Sequence, residues 1–176
     1  MRLKGRVLSL PFDGIDTDQI IPAIHLTVIE PGNLGRFLFT GRAELAQRLA
    51  DAPEASIVVA GEDFGCGSSR EHAAWALAER GFRAVIAPSF ARIFLENAYN
   101  NGVVPIVLSP EACAACAASA TLEIDVEGGA VETQDGKTFA FTLDPLRKTF
   151  LVGGGYLRYL HGKIPAIRAW QAARAL

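Results

Sequence analysis

Residues 56–81 read SIVVAGEDFGCGSSREHAAWALAERG, and their reading decides the fold class. Residues 56–60 (SIVVA) form a short β-branched apolar run suited to a buried strand. Residues 70–80 then show helical spacing: Ala73, Ala74, Leu77 and Ala78 share a face, and Gly81 is a natural stop. Between strand and helix, Gly65 and Gly67 allow positive φ and a close approach of the backbone. Ser68 or Ser69 is placed to cap the helix, and Glu71 follows Ser68 at the spacing of a capping box.

Downstream the alternation repeats. A strand is expected at residues 84–87, a helix at 90–100 ending near Asn101-Gly102, a strand at 104–108 and a helix at 110–119. Upstream, a short strand fits residues 6–10 and a structured loop fits 13–31, punctuated by Pro22 and Pro31. A helix over 42–50 would set Glu44 and Arg48 at i,i+4. Strand–helix alternation with short loops indicates an α/β layer with a parallel component. Further on, residues 121–126 alternate like a half-exposed strand. Residues 137–142 are expected to pair with it across the Gly128-Gly129 and Asp135-Gly136 turns, and helices are expected around 144–152 and 163–173. The expected fold is α/β and mixed, a β-rich element beside a βαβ core. It forms one domain over residues 1–176, with the motif-bearing part at about 6–108 and the C-terminal strands and helices at 120–176.

The bulk properties narrow the function. With 176 residues, half of them apolar and a fifth charged, the chain can bury a core without disulfides or metals. A formal charge of −2 gives no sign of a nucleic-acid partner. Ser9 and Pro11 break the N-terminal apolar run, so no signal peptide is expected, and no apolar run of about 20 residues suggests a membrane span. An odd cysteine number, Cys66, Cys113 and Cys116, argues against a disulfide framework and suits a reducing cytoplasm.

The loop at residues 61–72 (GEDFGCGSSREH) carries the chemistry. Free amides at a helix N-terminus form an anion site. Arg70, read as lying in the first helical turn, is poorly placed for the helix dipole unless an anion sits beside it, and its planar fork matches a carboxylate. The residues alone leave two readings open: a capped strand–turn–helix junction, or a site for a small carboxylate or phosphate. The loop lacks the Gly-x-x-x-x-Gly-Lys-Ser/Thr pattern, the acidic residue of a dinucleotide site, and the Gly-x-Ser-x-Gly elbow of a hydrolase.

GEDFGCGSSREHAAWAL resembles the GSSREHA signature of the mobile, swivelling domain of the aconitase family. FDGIDTDQIIPA, residues 12–23, is similar to the Asp-Thr-Asp-x-Ile-Ile-Pro motif of that family's dehydratase small subunits. PSFARIFLENAYNNGVVPIVL, residues 88–108, resembles the family's next segment. The match covers roughly residues 6–108 in order, and the tail only loosely.

The resemblance implies an aconitase-type swivelling domain serving as the small subunit of a heteromeric hydro-lyase. Its substrate would be an alkylmalate such as 2-isopropylmalate, isomerised by dehydration and rehydration in leucine biosynthesis. It implies a large partner subunit, in a heterodimer or heterotetramer, that holds a [4Fe-4S] cluster acting as a Lewis acid on the substrate hydroxyl; no cofactor is expected on this chain. By the same resemblance Ser68 is the base that removes the proton α to a carboxylate, and Ser69 and Arg70 hold the substrate. Asp18 would orient a catalytic histidine of the partner, while Asp13 and Asp16 read as turn-stabilising.

The segment after IIPA, Ile24-His25-Leu26-Thr27-Val28, is the expected substrate selector, with His25, Thr27 and Val28 as contacts. Relatives that act on substrates with an extra distal carboxylate tend to carry an arginine in this loop. Here the nearest is Arg36, so an alkyl group is favoured at about 0.8 kcal/mol per buried methylene. Citramalate and homoaconitate hydratase small subunits, and a non-catalytic carboxylate-binding assembly subunit, stand as alternatives. A self-contained hydrolase using Ser68 or Cys66 lacks a motif joining either to His25, His72 or His161.

Cys113 and Cys116 form C-x-x-C in an Ala-rich helical stretch and read as structural. Cys66 would be reactive if the helix terminus lowered its pKa. His72 and Trp75 read as packing residues, and His161 as a surface residue. Gly153–Gly155 marks a tightly turned or mobile loop, and an exposed partner-binding face would let the isolated chain self-associate.

Overall fold

The computed structural model describes residues 1–27 and 32–174. Strands β1 (Arg2–Leu10), β2 (Ala55–Ala60), β3 (Ala84–Ala87), β4 (Val104–Val107), β5 (Thr121–Asp125), β6 (Ala130–Thr133) and β7 (Thr138–Ala140) form one sheet. Their spatial order is β4-β3-β2-β1-β5-β6-β7. The β1–β4 half is parallel and the β5–β7 half antiparallel, and β1 belongs to both. The helices are α1 (Thr17–Ile20), α2 (Ala43–Asp51), α3 (Glu71–Glu79), α4 (Arg92–Asn100), α5 (Pro110–Ala117), α6 (Pro145–Val152) and α7 (Tyr156–Ala172), with 3₁₀ turns at Ala23–His25 and Gly35–Phe37.

Side-chain alternation divides each buried strand between two cores. Val58 and Ala60 of β2 and Val85 and Ala87 of β3 join Leu45 of α2, Ala73 and Leu77 of α3 and Phe94 of α4 on one face. Ile57, Val59, Ala84 and Ile86 face the other way, against Cys113 and Cys116 of α5, Tyr99 and Leu151. Burial on both faces explains why β2 and β3 read as continuous apolar runs.

Several expectations are corrected. Strand β1 begins at Arg2 rather than residue 6, because Arg2 and Lys4 lie opposite Asp125 and Glu123 of β5. The Lys4–Glu123 pair closes at 2.6 Å. Residues 138–140 do not pair with β5: β6 intervenes, and the tail is a three-strand meander. Glu44 and Arg48 do not pair in α2; Arg42 takes Glu44 at 2.6 Å, and Arg48 donates to the Ser9 carbonyl at 3.2 Å. Helix α7 begins at Tyr156 rather than residue 163, and continues through Gly162 and Pro165.

The loop after β2 is clamped to α4. The Phe64 N–H donates to the Ser89 carbonyl at 3.1 Å, and the Ala91 N–H to the Phe64 carbonyl at 3.0 Å. Gly65 has φ +79°, and a Cβ there would stand 2.2 Å from Cγ of Phe94. Gly136 has φ +83° with open space around it. Gly65→Ala should therefore lower the melting temperature by roughly 4–10 °C, combining backbone strain with a ring clash of about 1–3 kcal/mol. Gly136→Ala meets the strain alone and should lose less. Thermal unfolding of both variants by circular dichroism checks the ranking.

Candidate active site

The two motifs meet because their loops leave adjacent parallel strands. Leu10 at the end of β1 pairs with Ala60 at the end of β2. The chain after each strand then runs alongside the other. The Gly61 N–H donates to the Phe12 carbonyl at 3.2 Å, Gly14 to Glu62 at 2.8 Å, Gly65 to Ile15 at 2.8 Å and Thr17 to Cys66 at 3.0 Å. An isolated parallel bridge joins Asp16 and Cys66.

Side chains lock this zipper. An Asp13 carboxylate oxygen accepts the Glu62 N–H at 2.7 Å, and Asp16 caps α1 by accepting the Gln19 N–H at 2.7 Å. Thr17 is only 1% exposed, and its hydroxyl donates to the Ser68 carbonyl at 3.2 Å. Asp18, one residue on, projects outward and pairs with the Arg70 guanidinium. Ser68, Arg70 and Asp18 are thus gathered at one end of the sheet, although Asp18 and Arg70 are 52 positions apart.

The start of α3 differs from its expected form. Neither serine caps it: Arg70 occupies the N-cap position and no side chain satisfies the first turn. The Arg70 N–H turns back to the Ser68 carbonyl at 2.8 Å, which Thr17 also holds. Ser68 and Ser69 are left exposed beside a helix N-terminus uncapped by side chains. Such a terminus presents partial positive charge to an anion. Thr17 was not singled out from the sequence, because a threonine between two aspartates carries no mark of burial.

The selector segment lies on the 3₁₀ turn after α1. Ile24 is 79% exposed, Leu26 packs on the core and Thr27 is exposed. The His25 ring stacks on Phe37 at 3.7 Å with 9° between planes. Val28 lies outside the described residues. Arg36, distant in sequence, places its guanidinium 4.5 Å from the centre of the same Phe37 ring, so a cation reaches the neighbourhood of the segment after all. The Glu79 carboxylate at the end of α3 accepts the backbone N–H groups of Gly32, Leu34 and Gly35, tying residues 32–35 to the helix that begins at the site. Glu79 and Phe37 also escaped the sequence reading, since neither belongs to a motif.

The surroundings of the cysteines oppose thiolate chemistry. Burial pushes the Cys113 and Cys116 thiols up to about 11, so both stay protonated at neutral pH. Burial, reinforced by the Asp63 and Asp16 carboxylates, also raises the Cys66 thiol, so the condition for its reactivity, a pKa lowered by the helix terminus, is not met. Among the described residues, no group of three or more His, Cys, Asp and Glu side chains could hold a metal ion. His72 packs against Trp75, with ring centroids 4.7 Å apart, and His161 sits on exposed α7.

The model of the aconitase C-terminal domain family matches residues 38–111. A 3-isopropylmalate dehydratase small subunit from Anaeromyxobacter dehalogenans is 40% identical over 98% of this chain and 96% of its own length. One from Caulobacter vibrioides is 41% identical over 87% of this chain and 83% of its own. The crystal structure of a 3-isopropylmalate dehydratase from Methanocaldococcus jannaschii aligns with a TM-score of 0.80 and 33% identity, covering 97% of this chain and 99% of that one.

The raised thiols give a direct expectation. A thiol whose pKa is raised holds less thiolate at neutral pH, so Cys66 should alkylate more slowly than free cysteine at pH 7.5, and faster as the pH rises. Cys113 and Cys116 should stay unmodified until the chain unfolds. Iodoacetamide labelling read by mass spectrometry checks both; rapid Cys66 labelling at pH 7 would contradict the account.

Proposed function

The chain belongs to the family of 3-isopropylmalate dehydratase small subunits, and from that premise we propose that it completes the active site of the hydro-lyase that isomerises 2-isopropylmalate to 3-isopropylmalate in leucine biosynthesis. The observation that carries the reading is the convergence of Ser68, Arg70 and Asp18, from two separate motifs, at the uncapped start of α3.

In this reading Ser68 removes the proton α to a substrate carboxylate and returns one during rehydration. A serine alkoxide is too unstable to serve in water. The α3 terminus, the Arg70 cation and exclusion of water on assembly would lower its cost. Ser69 and Arg70 hold the carboxylate, with the guanidinium fork matching it in two hydrogen bonds. Thr17 sets the position of Ser68 by holding its carbonyl.

Arg70 and Asp18 occupy each other in the isolated chain. Substrate binding therefore requires Arg70 to exchange one carboxylate for another, while Asp18 turns to orient a histidine of the large subunit. This exchange favours a subunit that works only when assembled over a free-standing carboxylate binder, whose cation would be open from the start. In this reading the Lewis-acid chemistry on the substrate hydroxyl is supplied by a [4Fe-4S] cluster of the large subunit. Residues 1–176 are read as one swivelling domain in a cytoplasmic heterodimer or heterotetramer. No helix among the described residues is long and apolar enough to cross a membrane.

The selector comprises His25, Thr27 and Val28 beside the exposed Ile24. Its apolar members favour an alkyl group, which ranks isopropylmalate and citramalate above homoaconitate. Arg36 stands on the far side of the argument: freed from Phe37, it is the cation a tricarboxylic substrate would need.

Anaerobic reconstitution with the cluster-loaded large subunit, followed by absorbance of the unsaturated intermediate, tests the reading. Turnover should require both chains, and Ser68→Ala should lose about 10²–10⁴-fold or more in kcat with assembly intact. Near-normal turnover of that variant removes Ser68 from the role. Thr27→Arg should shift the ranking toward homoaconitate; an unchanged ranking removes the segment as selector.

A further inference from the structure

Helix α7 has no buried residue along its 17 positions. Its base is seated: Tyr156 packs edge-on to Phe150 of α6 with ring centroids 5.0 Å apart, and Tyr159 lies tilted against the same ring at 4.9 Å. They border an open groove of about 730 Å³ between α4, α6 and α7. Beyond Gly162 the side chains are exposed throughout. That distal half contains Pro165, which withholds a helix hydrogen bond at about 3 kcal/mol, and isolated helices of this length are marginal in water. A partner surface would supply the missing stabilisation.

The exposed face has a pattern. Leu157, Leu160, Ile164 and Ile167 recur at three- and four-residue steps along one stripe, followed by Trp170, which is 59% exposed. By helical spacing, Lys163 borders the stripe on one side and His161 and Arg168 on the other. From Tyr156 to Arg174 the sequence holds Arg158, Lys163, Arg168 and Arg174 and no Asp or Glu, although the whole chain has a net charge of −2.

These features argue against a second copy as the occupant. Two α7 stripes face to face would align like charges. The other exposed large apolar residues among those described are Ile24, Ile93 and Val107, scattered, and Leu146 and Val152 on α6. Among the described residues, no second apolar surface on the body is available to receive the stripe.

The base of α7 also lies close to the candidate active site. Gly155, its N-cap, packs against the Asn100 carbonyl, and the neighbouring Asn101 amide donates to Glu71 at 2.9 Å. Glu71 directly follows Arg70. A chain closing over Ser68 and Arg70 thus continues along this flank onto α7.

We propose that α7 is the docking arm for the large subunit, its Leu157–Leu160–Ile164–Ile167 stripe entering an apolar groove edged by carboxylates. This rests on the dehydratase reading above, and the test separates the two. The full-length chain, its Ile164→Ser/Ile167→Ser variant and its Lys163→Glu/Arg168→Glu variant are titrated against the cluster-loaded large subunit of the same genome. Complex formation is followed by sedimentation velocity and turnover in parallel. Both variants should keep the wild-type melting temperature, because these side chains are exposed. Each should bind at least about tenfold more weakly, yet reach wild-type kcat and KM at saturating large subunit.

Wild-type affinity in both variants, with normal turnover, overturns the docking arm and leaves the dehydratase reading standing. A complex that depends on α7 but never turns over has the opposite meaning. Dimerisation of the free chain that the serine variant abolishes would assign the stripe to a second copy. Binding to phosphatidylserine vesicles with subunit assembly unaffected would assign it to a membrane surface. Either result overturns the proposal.

Discussion

Everything at the candidate site hangs on the parallel register between the ends of β1 and β2. Leu10 opposite Ala60 sends two loops out of the sheet side by side, and four backbone hydrogen bonds carry that adjacency as far as Thr17 and Cys66. No side chain of either motif could bring the other within reach, because 52 positions separate Asp18 from Arg70. The two apolar faces of β2 enforce the register: a one-residue slip would exchange Ile57 and Val59 for Val58 and Ala60 across the sheet. Core packing and site geometry are therefore a single constraint.

The aspartates of the first motif show how that constraint distributes labour. Asp13 and Asp16 accept backbone N–H groups and hold the loops, whereas Asp18 is turned outward to Arg70. Three residues of one chemical type thus do two kinds of work, separated by which way the backbone points them. The buried Thr17 hydroxyl belongs with the first kind: a satisfied polar group that gives one carbonyl, that of Ser68, a single position.

The parallel half of the fold was legible because its evidence is local. SIVVA, the glycines of GCG and the Ala-rich start of α3 each announce their conformation within a few residues. The antiparallel half was less so. Residues 2–5 alternate charge with small or apolar residues, and their strand exists because Glu123 and Asp125 stand opposite. Strand β6, with Glu132 between Val131 and Thr133, is short and polar enough to read as turn. At the site, Ser68, Arg70 and Asp18 were visible as motif members. Phe37 and Glu79 were invisible because their relevance comes from tertiary contact alone, and Arg36 was visible only as the nearest arginine, not as a neighbour of the segment through Phe37. The serines were misread as caps for a related reason: the capping-box spacing is satisfied in sequence, but the Thr17 bond to the Ser68 carbonyl and the turn of Arg70 place the helix start two residues later.

Strand β1 has a consequence for how this chain is made. It pairs with β2 on one side and with β5 on the other, and the Lys4–Glu123 contact spans 119 positions. During synthesis β1 is consequently without its β5 partner until the chain has passed residue 125. Through that interval it presents an open edge of alternating charge, and lysine and arginine on an edge discourage pairing with other chains. Completing the sheet means closing a very large loop, which places this domain among slowly folding, high-contact-order topologies. The basic residues at positions 2, 4 and 6 thus act twice, first as a guard on a nascent edge and later as partners for β5 and for Glu54.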